Sequence, residues 1–143
     1  MEAYDTDSFG LAYVCGLEVE EPTGIRLVSW LEKHPELHLC YAPGPRGCRI
    51  ASEKAERIMA LKPMLHINRQ ESLELTKASD YVEAAAALFS RTGNTVIITL
   101  GEEGAYCLEK DGSAYHTPSV PVTRLTDTIG AGDAHVGDRK SVV

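Results

Sequence analysis

The chain has 143 residues, long enough to bury one apolar core, and its net charge of −7 leaves no basic stripe for holding a polyanion. With 43% hydrophobic and 24% charged residues it is composed like an ordinary globular domain, not like a disordered or fibrous chain. The opening MEAYDTDSFG carries neither a basic leader nor an apolar run, and no stretch approaches a membrane span. The expected setting is cytoplasmic, without membrane or nucleic-acid partners.

Leu11–Cys15 is a short apolar run ended by Gly16 and reads as a buried strand. Pro22 suits a first helical turn, and Ile25, Leu27, Val28 and Leu31 keep helical spacing through Glu32 or Lys33. Leu37–Tyr41 is a second strand, followed by the breaker cluster Pro43-Gly44-Pro45-Arg46-Gly47. Ser52–Met59 reads as an amphipathic helix, Met64–Ile67 as a strand and Glu71–Thr76 as a short helix. Asp80 can cap the helix YVEAAAALFSR, and Gly93 stops it. Thr95–Leu100 (TVIITL) is β-branched and nearly all apolar, the strongest strand signal in the chain. After it, two short strands flank Lys110-Asp111-Gly112, a hairpin signal.

Strands alternate with helices, and their apolar runs are continuous. That rhythm predicts an α/β fold, a three-layer α/β/α sandwich with helices on both faces of a mainly parallel sheet and a β-hairpin near the C-terminus. The cysteines Cys15, Cys40, Cys48 and Cys107 include no C-x-x-C pair, and three of them sit in or beside apolar segments, as buried free thiols do. His34 and His38 are separated by Pro35, which breaks any shared helical face. Neither set reads as a metal site.

Three stretches carry chemistry. In TDTIGAGDA, a helix beginning near Gly130 would present unsatisfied N–H groups to an anion, with Gly130 and Gly132 allowing close approach. Asp133 would then stand beside that anion as a general base; alternatively, it is an acidic first-turn residue after a plain glycine turn. Asn68-Arg69-Gln70-Glu71 follows a strand and offers an amide and a carboxylate to Mg2+ or its waters, or forms a capping box. Thr99-Leu100-Gly101-Glu102-Glu103-Gly104 ends the strongest strand, where open α/β sheets bind ligands, or is a simple strand-to-hairpin turn.

In this order and spacing the three stretches resemble the PfkB (ribokinase-like) family of carbohydrate and nucleoside kinases. DTIGAGDA is similar to that family's C-terminal signature, NRQE to its N-x-x-E motif and TLGEEGA to its T-x-G nucleotide segment. YAPGPR is similar to the loop that precedes N-x-x-E, with Ala42 where an acidic residue is common. The resemblance runs from about Tyr13 to Gly137, and no Walker A sequence is present.

The resemblance implies a ribokinase-like fold and ATP-dependent phosphorylation of a sugar or sugar-like hydroxyl. It makes Asp133 the base and Gly130, Ala131 and Gly132 the anion hole. Asn68 and Glu71 would organise Mg2+ through its waters, and Thr99, Gly101 and Gly104 would line the ATP site. Asp127 matches a position that holds K+ in some members. Such kinases are roughly twice as long as this chain. Residues 1–143 are therefore expected to be a single partial domain, lacking the substrate and lid half and the C-terminal end. His135 and the tail Asp138-Arg139-Lys140 depart from the family's helix pattern. The chain is accordingly expected to be inactive alone, with a second copy or a complementing half-chain as partner. The alternative is a non-catalytic nucleotide-binding or interaction module.

Overall fold

The structure is a computed structural model and describes residues 10–121. Its strands are β1 (Leu11–Cys15), β2 (His38–Ala42), β3 (Met64–Asn68), β4 (Val96–Thr99), β5 (Ala105–Leu108) and β6 (Ala114–Thr117). They form one mixed six-stranded sheet in sequential order. β1 to β4 run parallel, while β5 and β6 are antiparallel to their neighbours, as the hairpin signal requires.

The helices are α1 (Gly16–Glu20), α2 (Gly24–Leu31), α3 (Ser52–Ala60), α4 (Arg69–Thr76) and α5 (Tyr81–Thr92). Each parallel strand lies beside its predecessor in the same direction, so right-handed crossovers set the described helices on one face. On that face Val14, Leu39, Tyr41, Leu65, Ile67, Val96 and Ile98 meet Val28, Leu31, Ile58, Met59, Ala84 and Leu88 in one core cluster. The alternate residues Cys40, His66, Ile97 and Cys107 project to the other face and are buried too. Two dry faces explain why these strands read as continuous apolar runs, and they match the three-layer class.

Helix α5 shows how local chemistry sets an element's bounds. Asp80 accepts a hydrogen bond from the Glu83 N–H at 2.8 Å, and Gly93 takes the left-handed conformation at the other end. Ala84, Ala85 and Leu88 are fully buried between these caps. Of the cysteines, Cys40 and Cys107 are buried as expected, Cys15 is half-buried and Cys48 is exposed.

The first helix departs from the sequence expectation. Pro22 lies in a turn, α2 begins at Gly24, and the additional helix α1 follows β1 directly. The Glu18 carboxylate accepts from the Cys15 N–H at 2.7 Å and closes the first turn of α1. At its other end Lys54, from α3, donates to the carbonyls of Val19, Glu20 and Glu21 at 3.0, 3.1 and 2.8 Å. Gly16 ends β1 as expected and also marks a close approach, because a Cβ there would lie 1.8 Å from the Pro43 carbonyl oxygen.

Candidate active site

β3 and β4 end side by side, with Asn68 and Thr99 as the last pair of their parallel register. From that rung β3 passes into α4, and β4 passes through Leu100 into the 3-10 turn Gly101–Glu103. The parallel arrangement thus brings Asn68, Thr99 and Gly101 to the carboxyl edge of the sheet, where open α/β sheets receive ligands.

Asn68 is exposed, has extended backbone angles and caps α4. Its Oδ1 accepts from the Glu71 N–H at 2.8 Å, and its own N–H donates to Glu71 Oε2 at 3.2 Å. The capping box is therefore formed. Glu71 is half-buried, so the N-x-x-E motif offers one carboxylate and one amide. No group of three or more His, Cys, Asp or Glu side chains capable of holding a metal occurs among the described residues. One carboxylate and one amide are oxygen donors of the kind that suit Mg2+ held through its water shell.

The two glycines of the turn differ. Gly101 has φ +62°, and a Cβ added there would meet nothing within 4 Å among the described residues. Gly104 has φ +95°, and a Cβ there would lie 1.9 Å from the Thr117 carbonyl oxygen. Its place in the motif is thus required by the chain leaving β6. Backbone bonds from Leu100 N–H to Gly104 O (2.8 Å) and from Gly104 N–H to Gly101 O (3.0 Å) close the turn.

Two further residues join the site that the sequence reading did not single out. The Arg69 guanidinium donates to Glu103 Oε2 at 2.6 Å and lies 5.3 Å from the centroid of the Tyr81 ring. Arg69 holds the Glu103 carboxyl below its ordinary value, with a smaller contribution from His116. Both motifs displayed a charge at these positions, but nothing local to either pairs residues 34 apart. Asp127, Gly130, Ala131, Gly132 and Asp133 lie outside the described residues.

A mostly parallel α/β sheet with motifs gathered at its carboxyl edge defines the ribokinase-like class, and solved structures agree. A crystal structure of aminoimidazole riboside kinase from Salmonella enterica, complexed with aminoimidazole riboside and an ATP analogue, superposes with a TM-score of 0.76 at 23% identity. The match covers 90% of this chain and 46% of that one. Fructokinase from Vibrio cholerae O395, bound to fructose, ADP and calcium, gives 0.74 at 20% identity over 89% of this chain and 43% of its own. The sequence adds lineage: the pattern described as "pfkB family carbohydrate kinase" matches residues 11–137, and the chain belongs to that family. It is 33% identical over 132 residues to the uncharacterized sugar kinase YegV of Escherichia coli K12, covering 89% of this chain. The chain spans about 40% of that relative's length. No helix among the described residues is long and apolar enough to cross a membrane.

Proposed function

We propose that this chain supplies the ATP-binding and catalytic part of a kinase that phosphorylates a hydroxyl of a sugar or nucleoside. The observation that carries this reading is the Asn68–Thr99 rung, which sets the N-x-x-E and T-x-G motifs of a PfkB-family chain next to each other. The relatives crystallised with an ATP analogue or ADP, and with aminoimidazole riboside or fructose, support the substrate class.

In this reading Gly101 and Thr99 receive the nucleotide, and Gly104 folds the turn that shapes its site. Asn68 and Glu71 would hold Mg2+ through its waters, which when bound would supply positive charge to neutralise the phosphate oxygens. Asp133 takes the proton of the acceptor hydroxyl as its oxygen bonds to the γ-phosphorus and the bond to ADP breaks. The backbone N–H groups of Gly130, Ala131 and Gly132 stabilise the charge on the transferred phosphoryl oxygens. Asp127 is the candidate for K+. Residues 1–143 form one partial ribokinase-like domain, whose partner is a second copy or a complementing half-chain. The second reading is a nucleotide-binding module without catalysis.

Calorimetric titration of the purified chain with ATP tests the common part of both readings. Binding is expected only with Mg2+ present and should weaken about tenfold in Gly101→Val, a loss of about 1.4 kcal/mol. No Mg2+-dependent binding at millimolar ATP would remove the nucleotide site from both. Sugar-dependent ADP release separates them, since only the kinase reading produces it once the partner is supplied.

A further inference from the structure

Arg69 is the first residue of α4, immediately after the Asn68 cap. A cation there opposes the helix macrodipole, so its position does nothing for α4 itself. Its Nε is buried without a hydrogen-bond partner, a second cost. What holds it lies on other elements. Its guanidinium pairs with Glu103 at the end of the 3-10 turn and lies over Tyr81, the first residue of α5. Tyr81 in turn meets Tyr106 of β5 edge-on, with ring centroids 5.5 Å apart.

The turn needs such an anchor. Gly101, Glu102 and Glu103 are all exposed, and the glycines at both ends have positive φ. Internally the turn is held by Glu103 N–H to Leu100 O (3.3 Å) and Gly104 N–H to Gly101 O (3.0 Å), with Ser119 Oγ donating to the Glu102 carbonyl. Arg69 fastens its exposed side to α4.

We propose that Arg69 is a positioning residue that locks the Gly101–Glu103 turn to the start of α4, so that the nucleotide-facing and Mg2+-facing groups share one rigid frame. The significance of that frame for catalysis rests on the kinase reading above; the lock itself does not. Arginine suits the task because its planar fork can pair with a carboxylate while its face covers a ring, which a lysine cannot do.

Amide hydrogen exchange on the 143-residue chain tests the lock without nucleotide. Arg69→Gln and Glu103→Gln are each expected to speed exchange at the Glu103 and Gly104 amides roughly two- to fivefold, the range of a part-exposed ion pair. The double variant should be no faster than either single one, and Arg69→Lys should restore part of the protection. Ile97 and Ile98, in the buried strand before the turn, should not change. Unchanged turn amides, additive single effects, or equal acceleration at Ile97 and Ile98 would each overturn the lock. A second arm adds ATP and Mg2+ to the wild-type chain and reads the same amides. Absence of slowing there counts against the kinase reading alone, because the first arm judges the lock independently.

Discussion

Asn68 and Thr99 stand opposite each other on the last rung of the β3–β4 ladder, although 31 positions separate them in the chain (99 − 68). That single register pair joins two short motifs, each of which has an ordinary structural explanation by itself. Asn68 is fully accounted for as a helix cap, and Thr99 as the end of a strand. Their adjacency at the carboxyl edge of the sheet is what the proposed nucleotide and Mg2+ site rests on.

Because Asn68 caps α4, its structural and chemical duties can be separated by substitution. Asn68→Ala removes the acceptor for the Glu71 N–H and should cost about 1 kcal/mol in denaturant unfolding. Asn68→Asp keeps an equally good cap and should unfold like the wild type. Equal loss in both variants would show that the cap is not what stabilises this end of α4.

The glycines of the turn should respond in opposite order to stability and ligand measurements. Gly104→Ala drives a methyl into the Thr117 carbonyl at an unfavourable φ and is expected to cost roughly 2–5 kcal/mol. Gly101→Ala meets nothing among the described residues and should cost about 1–2 kcal/mol, from its left-handed backbone alone. ATP affinity should instead fall at Gly101, the proposed contact. A larger stability loss at Gly101 than at Gly104 would contradict this account of the turn.

The contrast between these motifs and α1 shows what local sequence can and cannot reveal. TVIITL, and the pairing of Asp80 with Gly93, announce β4 and α5 because each signal acts within one element. Helix α1 is only five residues long, shorter than the span over which helical periodicity can be read. Its first residue, Gly16, ends β1 as the sequence indicates, but the close approach it accommodates is not legible there, because the carbonyl belongs to Pro43. Likewise the three carbonyls at the end of α1 are satisfied by Lys54, more than 30 residues away. The sequential strand order is also a tertiary property, since the strand–helix rhythm is the same for any order. At the site, the motifs themselves were legible, whereas the Arg69–Glu103 pair was not, because only folding brings it together.

Acid should weaken the fold through a few named carboxylates. Hydrogen bonds from Arg57 hold Glu32 below its ordinary value, those from Ser79 do the same for Glu83, and Arg69 for Glu103. A carboxyl whose folded value is depressed binds its proton more readily in the unfolded chain, so its contribution is complete above the unfolded value and disappears as pH falls through the folded one. Thermal midpoints are therefore expected to be flat from pH 7 to about pH 5 on this account and to decline below it. Glu103→Gln should make that decline shallower. An identical acid limb in the variant would show that the pair with Arg69 does not contribute to the transition.

The sharpest prediction concerns turnover. An acceptor hydroxyl must be held in line with the γ-phosphoryl at near-attack distance, and such positioning supplies roughly 7–11 kcal/mol of a barrier. More than half of the matched relatives' length lies outside the span shared with this chain, which covers 40% of one and 46% of another. With no partner supplied, Asp133 is expected to have no aligned hydroxyl to deprotonate, and water entering an uncovered site would weaken its electrostatics. A coupled ADP-release assay on the purified chain, with Mg2+, K+ and a panel of sugars and nucleosides, should therefore show no sugar-dependent signal. Once a complementing half-chain restores turnover, Asp133→Asn should reduce it ~10²–10⁴-fold with ATP affinity nearly unchanged, because a general base acts in the transition state. A loss below about tenfold would remove Asp133 from the role of base. Sugar-dependent release by the chain alone, abolished in Asp133→Ala, would overturn the need for a half-chain and make a self-assembled site of this chain the working enzyme.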